Sequence, residues 1–176
     1  MLEVGFGTGL NLSYYPPGVK TLLALDPKVV EGLAPLEERL RRAVFPVERV
    51  SLRADGALPF DAGRFDCVVT TWALCSIPDP LGALGEMRRV LKPGGRYLFI
   101  EHGRAPTAHT ARWQDRLNPF WRRIADGCNM NRAIDRLVVE GGFDLAILER
   151  FRHRGPGLLA HMYRGVATPV REPCAS

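Results

Sequence analysis

Three closely spaced glycines near the start of the chain are positioned for a tight turn against a ligand. They are Gly5, Gly7 and Gly9. Glycines at this spacing let the backbone turn sharply between a strand and a helix and approach a bound molecule closely. Asp26 lies 17 positions after the last of them, at the end of the next apolar run. A carboxylate at this place is suited to accept hydrogen bonds from both hydroxyls of an adenosine ribose.

The spacing of the glycines also bears on which nucleotide the turn serves. A dinucleotide-binding turn has the pattern Gly-x-Gly-x-x-Gly, in which the third glycine makes room for a pyrophosphate at the start of a helix. In this chain the third glycine comes one position earlier, and Leu10 occupies the position of the fingerprint glycine. The turn therefore differs from the fingerprint of dinucleotide enzymes.

The elements that must position these residues alternate between strand and helix. Continuous apolar runs predict strands at 1–4, 21–25, 47–52, 65–71 and 96–100. Helical spacing predicts helices at 28–44, with Pro35 bending or dividing the first of them, and at 80–91, 107–127 and 131–140. Apolar strands separated by helices indicate a parallel sheet covered on both faces.

The end of the chain departs from this alternation. Two further strands, predicted near 143–150 and 158–166, are joined by a Gly-Pro-Gly turn. Only antiparallel neighbours can use so tight a connection. The predicted fold is therefore α/β, a doubly wound, mostly parallel, Rossmann-like sheet with one antiparallel strand near the C-terminus, forming a single domain over residues 1–176.

Composition narrows the function classes. Hydrophobic residues make up 46% and charged residues 24% of the 176 residues, as in ordinary soluble domains. No apolar stretch approaches the roughly 18 residues of a membrane span, and no signal peptide precedes the first strand, so we expect a cytoplasmic protein. The net charge is +5, but the arginines of 104–136 are spread at helical intervals. We therefore expect a small-molecule partner and no nucleic acid.

The cysteines give no metal motif in the sequence. They are Cys67, Cys75, Cys128 and Cys174. No two of them form a Cys-x-x-Cys pair, and no histidine stands near them at ligand spacing. The spacing predicts reduced thiols and no metal site. Cys75 is either a redox-sensitive thiol or a buried, inert one.

Taken together, the motifs resemble those of the class I S-adenosylmethionine-dependent methyltransferases. The glycine turn is similar to their first motif, and Asp26 to their ribose-binding acid. Segments 55–60, 65–69 and 86–95 resemble the adenine-contacting loop, the fourth-strand motif and the helix and turn before strand five. The loop is similar to that of the ubiquinone and menaquinone C-methyltransferases and their relatives. These motifs are collinear over residues 1 to about 102, and they imply S-adenosylmethionine as cofactor.

A narrower resemblance covers most of the chain. Segments 14–18, 74–76, 101–102 and 113–129 look like the alkyl thiol S-methyltransferases of animal endoplasmic reticulum and their bacterial relatives. This resemblance implies transfer of a methyl group to a small lipophilic acceptor, with a thiol favoured. A quinol or phospholipid-type acceptor is the alternative. A nucleic-acid methyltransferase is disfavoured, because Thr71-Trp72-Ala73-Leu74 stands where a catalytic Asn/Asp-Pro-Pro-Tyr/Phe tetrapeptide belongs.

The resemblance assigns cofactor-binding roles residue by residue. It implies that Glu3 braces the glycine turn and faces the methionine end of the cofactor. Asp26, with Pro27 beside it, would bind the ribose. Asp55 is either the acceptor of the adenine amino group or part of a plain turn. Gly56, Ala57 and Thr71 complete the expected cofactor-binding set.

Four further side chains are candidates for the acceptor side. Trp72 either lines the methionine and acceptor pocket or is a packing aromatic. His102 follows strand five and either takes a proton from the acceptor or hydrogen-bonds within a loop. Trp113 and Trp121 lie in the segment that commonly covers the acceptor site in this superfamily. They form either an apolar pocket wall or part of the core.

Members of the family carry one or more helices before the first motif. Here the first predicted strand begins at Met1. We expect a chain without these lid helices, so that the cofactor is more open to water. A cofactor-binding module with little activity is thus a further alternative to an active enzyme.

Overall fold

A computed structural model describes residues 1–27, 31–52 and 56–170 of the chain. Seven strands form one sheet in the order β3-β2-β1-β4-β5-β7-β6. The strands are β1 (Leu2–Val4), β2 (Leu22–Asp26), β3 (Val47–Ser51), β4 (Phe65–Thr71), β5 (Leu91–His102), β6 (Phe143–Arg152) and β7 (His161–Pro169). The first five strands pair in parallel.

The C-terminal strand is the antiparallel one. β7 inserts between β5 and β6 and pairs antiparallel with both of them. β6 consequently runs in the same direction as the parallel strands, and β7 alone runs against them. The predicted fold class, including its one antiparallel strand, is confirmed.

Both faces of the sheet are covered, as the continuous apolar strands predict. On β2, Leu22 and Ala24 join one apolar cluster, whereas Leu23 and Leu25 join the other. This division follows from the two-residue period of a strand. Helix residues complete each side, with Leu36 in the first cluster and residues of two other helices in the second.

Four α-helices accompany the sheet. They are α1 (Ala34–Arg42), α2 (Pro80–Val90), α3 (Ala108–Ile124) and α4 (Ile134–Glu140), and a 3-10 helix covers Leu10–Tyr14. α1 starts later than predicted: Gly32 has a φ of +72°, and Pro35 occupies the first turn of the helix. Proline is favoured there because the N–H that it lacks would have no partner. Pro35 therefore starts the helix and neither bends nor divides it.

The turn predicted at 92–95 is also different in the structure. β5 already begins at Leu91, which pairs with Phe65, and the register then shifts before Arg96 pairs with Cys67. The glycines and proline of this segment thus form an irregularity within the strand. Among the described helices, none is both long enough and apolar enough to span a membrane.

A buried glutamine fixes α3 against the sheet. Gln114 is fully buried, and its Nε2 donates to the carbonyls of Gly103, Met130 and Leu158 at 3.1, 2.9 and 2.8 Å. Its Oε1 accepts from the amide of Ala105 at 2.8 Å. All polar atoms of the side chain are therefore satisfied, and α3 is held over the end of β5.

We expect Gly165→Ala to destabilise the fold. A Cβ on this β7 residue would lie 2.4 Å from Cζ of Phe99 and 2.7 Å from the carbonyl oxygen of Ile147. Overpacking of this kind costs about 1–3 kcal/mol, and the backbone oxygen has little freedom to move away. Urea denaturation should show that loss in the free energy of unfolding.

Gly85→Ala on α2 is the matched control. No atom lies within 4 Å of the position of its added Cβ, and alanine favours a helix over glycine by about 1 kcal/mol. This variant should be as stable as the parent or more stable. Equal stability of the parent and Gly165→Ala would contradict the packing described for β7.

Candidate functional site

The carboxyl ends of the parallel strands meet at one edge of the sheet. β1 ends at Val4, β2 at Asp26 and β4 at Thr71, while His102 closes β5. Open α/β sheets bind ligands outside these strand ends. The structure thus brings the glycine turn, the ribose-binding candidate and the acceptor candidates to the same edge.

The glycine turn has the backbone that its sequence predicts. All three of its glycines have positive φ, at +82°, +55° and +71°. A Cβ on Gly5 would lie 2.5 Å from Cβ of Ala73, so the turn packs directly on the loop that follows β4. By contrast, nothing lies within 4 Å of a Cβ on Gly7. A ligand therefore has free access to the backbone at Gly7.

Asp26 faces this turn. Its two carboxylate oxygens accept from the amide of Gly7 at 3.1 and 3.0 Å. Burial raises the pKa of the Asp26 carboxyl, and the bond from Gly7 opposes that rise. A carboxylate has about four lone-pair positions, so Asp26 retains acceptors for the hydroxyls of a ribose. These residues fit the adenosine part of the expected cofactor.

Glu3 lies at the centre of a buried polar network. Its oxygens accept from Nδ2 of Asn11 and from the hydroxyl of Tyr15, both at 2.7 Å. The amide of Asn11 also donates to the hydroxyl of Thr71 at 3.0 Å. Burial raises the pKa of the Glu3 carboxyl to about 7. Glu3 and Thr71, predicted separately, are thus linked through Asn11.

The adenine side of the predicted site is only partly described. Asp55 lies outside the described residues, so its predicted role stays a prediction. Gly56 is exposed with a φ of +77°, and Ala57 is half-buried. Pro27 is exposed beside Asp26.

A second buried carboxylate ties β5 to the loop after β4. Glu101 is fully buried, and its Oε1 accepts from the amides of Ala73 and Leu74, each at 3.1 Å. Within the described part of the chain, Oε2 is buried with no hydrogen-bond partner. Burial raises the pKa of Glu101 to about 7. The carboxyl therefore holds the loop that packs against the glycine turn.

A family model described as "Methyltransferase domain" matches residues 2–99. The match includes the glycine turn, Asp26 and the ends of β1, β2 and β4, and it covers more than half of the chain. The chain belongs to this methyltransferase family. The predicted resemblance to class I enzymes, which use S-adenosylmethionine, is confirmed.

Individual relatives agree with this assignment. Human thiol S-methyltransferase TMT1B is 38% identical over 161 residues, which cover 85% of this chain and 62% of the relative. The ubiquinone/menaquinone C-methyltransferase UbiE of an Enterobacter strain is 46% identical over 66 residues. These residues cover 36% of this chain and 26% of the length of UbiE. The chain thus spans about three fifths of the thiol methyltransferase that it matches.

A solved structure shows the same fold. The S-adenosylmethionine-dependent methyltransferase structure from Methanosarcina mazei superposes with a TM-score of 0.73, covering 97% of this chain and 92% of that chain. The two sequences are 19% identical. At this identity the likeness concerns the fold alone.

Two of the predicted acceptor residues of this methyltransferase lie together at the ends of β4 and β5. The rings of Trp72 and His102 meet edge to face, with centroids 5.6 Å apart. Trp72 is 53% exposed, and its φ of 55° is rare for a residue other than glycine. Strained backbone of this kind clusters at functional sites. Burial lowers the pKa of His102, so its imidazole is neutral at pH 7.

The two tryptophans of α3 have different contacts. Nε1 of Trp121 donates to Sγ of Cys128 at 3.3 Å, and Sγ of Cys128 lies 3.1 Å from Nε2 of His102. Trp113 is 46% exposed and contacts the guanidinium of Arg116, which lies 5.9 Å from its ring centroid. The structure therefore groups Trp121 with Trp72 and His102, while the role of Trp113 stays a prediction.

Several residues at this edge were not predicted from the sequence. Asn11 and Tyr15 hold Glu3, and Glu101 holds the loop after β4. Cys75, His102 and Cys128 form no metal motif in the sequence, but the structure brings them together. The expectation of no metal site stays a prediction. A signal was present, because 14–18, 74–76, 101–102 and 113–129 are the segments that carry the resemblance to thiol methyltransferases.

Glu101→Gln should change how stability depends on pH. A glutamate that ionises near pH 4.5 when unfolded stays protonated in this fold up to a pH of about 7. Between these values the folded state binds more protons, so the free energy of unfolding falls as pH rises. The contribution of Glu101 is on the order of 3 kcal/mol. Denaturant titrations at pH 5 and pH 8 should show a smaller fall in Glu101→Gln than in the parent.

Glu37→Gln, at an exposed position in the first turn of α1, is the matched control and should keep the slope of the parent. In both proteins Glu3 also lowers the free energy of unfolding as pH rises, because burial raises its pKa as well. Only the difference between parent and variant reports on Glu101. Parallel pH profiles for the parent and Glu101→Gln would contradict the assignment.

Proposed function

We propose that this chain transfers the methyl group of S-adenosylmethionine to the sulfur atom of a small lipophilic thiol. The observation that carries the proposal is the reach of the similarity to TMT1B. It covers 85% of this chain, whereas the methyltransferase domain match ends at residue 99. The similarity therefore extends through the end of β5, α3 and the turn after it. These elements supply the acceptor side of the edge.

The glycine turn and two carboxylates support binding of the cofactor. Asp26 has acceptor positions for the ribose hydroxyls, and the open approach to Gly7 admits the ligand to the backbone. Glu3 is buried, with Asn11 and Tyr15 on its two oxygens, and in this proposal it braces the turn at the methionine end of the cofactor. S-adenosylmethionine, when bound, supplies an electrophilic methyl carbon on a sulfonium sulfur.

The protein's main contribution to such a reaction is alignment. A nucleophile must be held about 3–3.5 Å from the methyl carbon, with the leaving sulfur opposite. An ordinary thiol has a pKa near 8.5 and is already partly ionised at neutral pH. The neutral imidazole of His102 is available as a proton acceptor. A thiol acceptor therefore needs less help from a general base than an alcohol or an activated carbon does.

Apolar surface at the edge supports a lipophilic acceptor. Trp72 is exposed beside His102, and the indole N–H of Trp121 donates to Sγ of Cys128. An apolar wall with a few convergent polar groups is typical of small-molecule sites. The shorter match to UbiE covers only 36% of the chain, so it gives no comparable support for a quinol.

The decisive experiment is a methyl-transfer assay with the purified chain and isotope-labelled S-adenosylmethionine. The panel contains a small aryl thiol, an alkyl thiol, a phenol, a quinol and an aminolipid, and products are identified by mass spectrometry. We expect labelled thioethers from the thiols. Preferred methylation of the quinol or aminolipid would overturn the thiol assignment, and a chain that neither turns over nor binds S-adenosylhomocysteine would overturn the proposal as a whole.

Asp26→Asn tests the proposed binding of the cofactor. Loss of charged hydrogen bonds to the ribose should weaken binding of S-adenosylhomocysteine by about 10- to 100-fold, since such bonds are worth about 1.5–3 kcal/mol. Calorimetry measures this affinity directly. Asp66→Asn is the matched control, because Asp66 is an exposed partner of Lys92, and its affinity should equal that of the parent.

Trp72→Leu and Trp113→Leu test where the acceptor thiol binds. Trp72 stands beside His102, so its loss should raise the KM for the thiol about 10-fold and leave the affinity for S-adenosylhomocysteine within about twofold. Trp113 is exposed and contacts Arg116, and its replacement should change KM far less. A larger effect of Trp113→Leu would place the pocket beside Trp113.

A further inference from the structure

Two cysteines and a histidine converge beside the glycine turn. Cys75 follows β4, His102 closes β5 and Cys128 follows α3. One ligand atom from each, the two Sγ atoms and a ring nitrogen, lie within 4.8 Å of one another. The three side chains are 2%, 4% and 9% exposed. Residues far apart in the chain thus bring three strong metal ligands into one buried place.

The separations are close to those of a tetrahedral metal site. Zinc binds sulfur at about 2.3 Å and imidazole nitrogen at about 2.0–2.1 Å, which sets ligand atoms about 3.5–3.8 Å apart in a tetrahedron. Sγ of Cys128 is 3.1 Å from Nε2 of His102, and no pair of the three atoms exceeds 4.8 Å. Side-chain movements of about 1 Å would give this geometry.

The charge balance also favours a divalent cation. Neutral imidazole is the metal-binding form of histidine. The sulfur atoms of Cys75 and Cys128 lie within 4.8 Å of each other, and cysteines bind metals as thiolates. Two thiolates and one divalent cation sum to zero charge, so the buried site avoids the cost of an uncompensated charge.

Neighbouring groups hold the ligands in place. Nε1 of Trp121 donates to Sγ of Cys128 at 3.3 Å, which stabilises the thiolate. The backbone and side-chain amides of Asn129 both donate to the carbonyl of Cys75, at 2.9 and 3.0 Å. Arg132 donates to the carbonyls of Leu74 and Ile77. Such supporting contacts are typical of metal sites.

We propose that Cys75, His102 and Cys128 bind a thiophilic divalent cation such as Zn²⁺, with a fourth coordination position for an external thiolate. Three protein ligands and one exchangeable position are the arrangement of catalytic zinc sites. The metal site itself stands on this geometry. The role of the fourth position rests on the proposed function.

The fourth position gives the acceptor thiol a place beside the cofactor. Cys75 comes two residues after Ala73, which packs against Gly5 of the glycine turn. The acceptor thiol releases its proton to solvent and its sulfur coordinates the metal as a thiolate. Its sulfur then forms a bond to the methyl carbon while the bond from that carbon to the sulfonium sulfur breaks. The neutral thioether is a weaker ligand and dissociates. His102 serves in this arrangement as a ligand and not as a base.

Cobalt titration of the reduced, chelator-treated chain tests metal binding without any activity. We expect one Co²⁺ per chain, a thiolate-to-cobalt charge-transfer band, intense tetrahedral ligand-field bands, and their loss on addition of one equivalent of Zn²⁺. Cys75→Ser and Cys128→Ser each remove one metal ligand and should weaken Co²⁺ binding by more than about 100-fold. Loss of a residue that only supports a ligand already lowers metal affinity by about 10- to 100-fold. Trp121→Phe should weaken it within that range.

Cys67→Ser is the matched control, because Cys67 is a half-buried cysteine of β4 outside the cluster. It should bind Co²⁺ like the parent. Absence of the charge-transfer band in the parent, or an undiminished band in Cys75→Ser and Cys128→Ser, would overturn the site. So would a parent that forms a Cys75–Cys128 disulfide on oxidation and binds no metal when reduced.

Alkylation of the parent chain decides the matter if the cysteine variants do not fold. Zn²⁺ should slow the reaction of iodoacetamide with Cys75 and Cys128 at least 10-fold and leave Cys67 unchanged, as peptide mapping would report. Equal rates at all three cysteines with and without Zn²⁺ would overturn the site.

The acceptor role of the metal is tested separately. Addition of a small aryl thiol to the Co²⁺ form should shift the charge-transfer band, and removal of the metal should lower the rate of thiol methylation at least 10-fold. An unchanged rate would overturn the role of the fourth position while the cobalt spectrum still supports the site. A cobalt-binding chain that methylates no thiol would instead refute the proposed function.

Discussion

The buried carboxyl group of Glu101 is the interaction on which the functional edge depends. It accepts from the amides of Ala73 and Leu74, and so it ties the end of β5 to the loop after β4. Ala73 in turn packs against Gly5. One side chain thus sets the distance between the glycine turn and the acceptor residues. A neutral residue of another shape would leave these amides unpaired at the centre of the site.

The same edge concentrates polar groups that the fold buries at a cost. Glu3 and Glu101 both have a pKa raised to about 7 by burial. Each of them retains hydrogen bonds from specific neighbours, Glu3 from Asn11 and Tyr15 in particular. Titratable groups perturbed in this way, gathered at the carboxyl ends of parallel strands, mark a functional site more often than a structural one. The edge combines this electrostatic character with exposed tryptophan surface.

The position of α3 shows how packing and function are joined. Gln114 fixes the helix through four hydrogen bonds to backbone atoms, and one face of the helix is thereby set over the end of β5. Trp121 on that side reaches Cys128, whereas Trp113 is left on an exposed face beside Arg116. The polar anchor thus decides which tryptophan reaches Cys128.

Local patterns in the sequence determined the fold class and singled out the glycine turn and Asp26, which meet in the structure. The apolar run at 65–71 matched β4 at both ends, because a continuous buried strand depends on residues that are adjacent in the chain. Gly5, Gly7, Gly9 and Asp26 were found by spacing for the same reason. Where local rules compete, as in the late start of α1 at Ala34 just before Pro35, the helix boundary differs from the predicted one.

Only the tertiary structure decided the order of the last strands and the acceptor half of the site. β7 lies between β5 and β6 because strand pairing is a long-range choice that no local pattern encodes. Cys75, His102 and Cys128 meet because β4, β5 and the turn after α3 end at one place, although 26 residues separate the last two. In the sequence they are three metal-binding residue types with no recognisable spacing. Their proximity arises from parallel pairing and from the packing of α3, and those are properties of the folded chain.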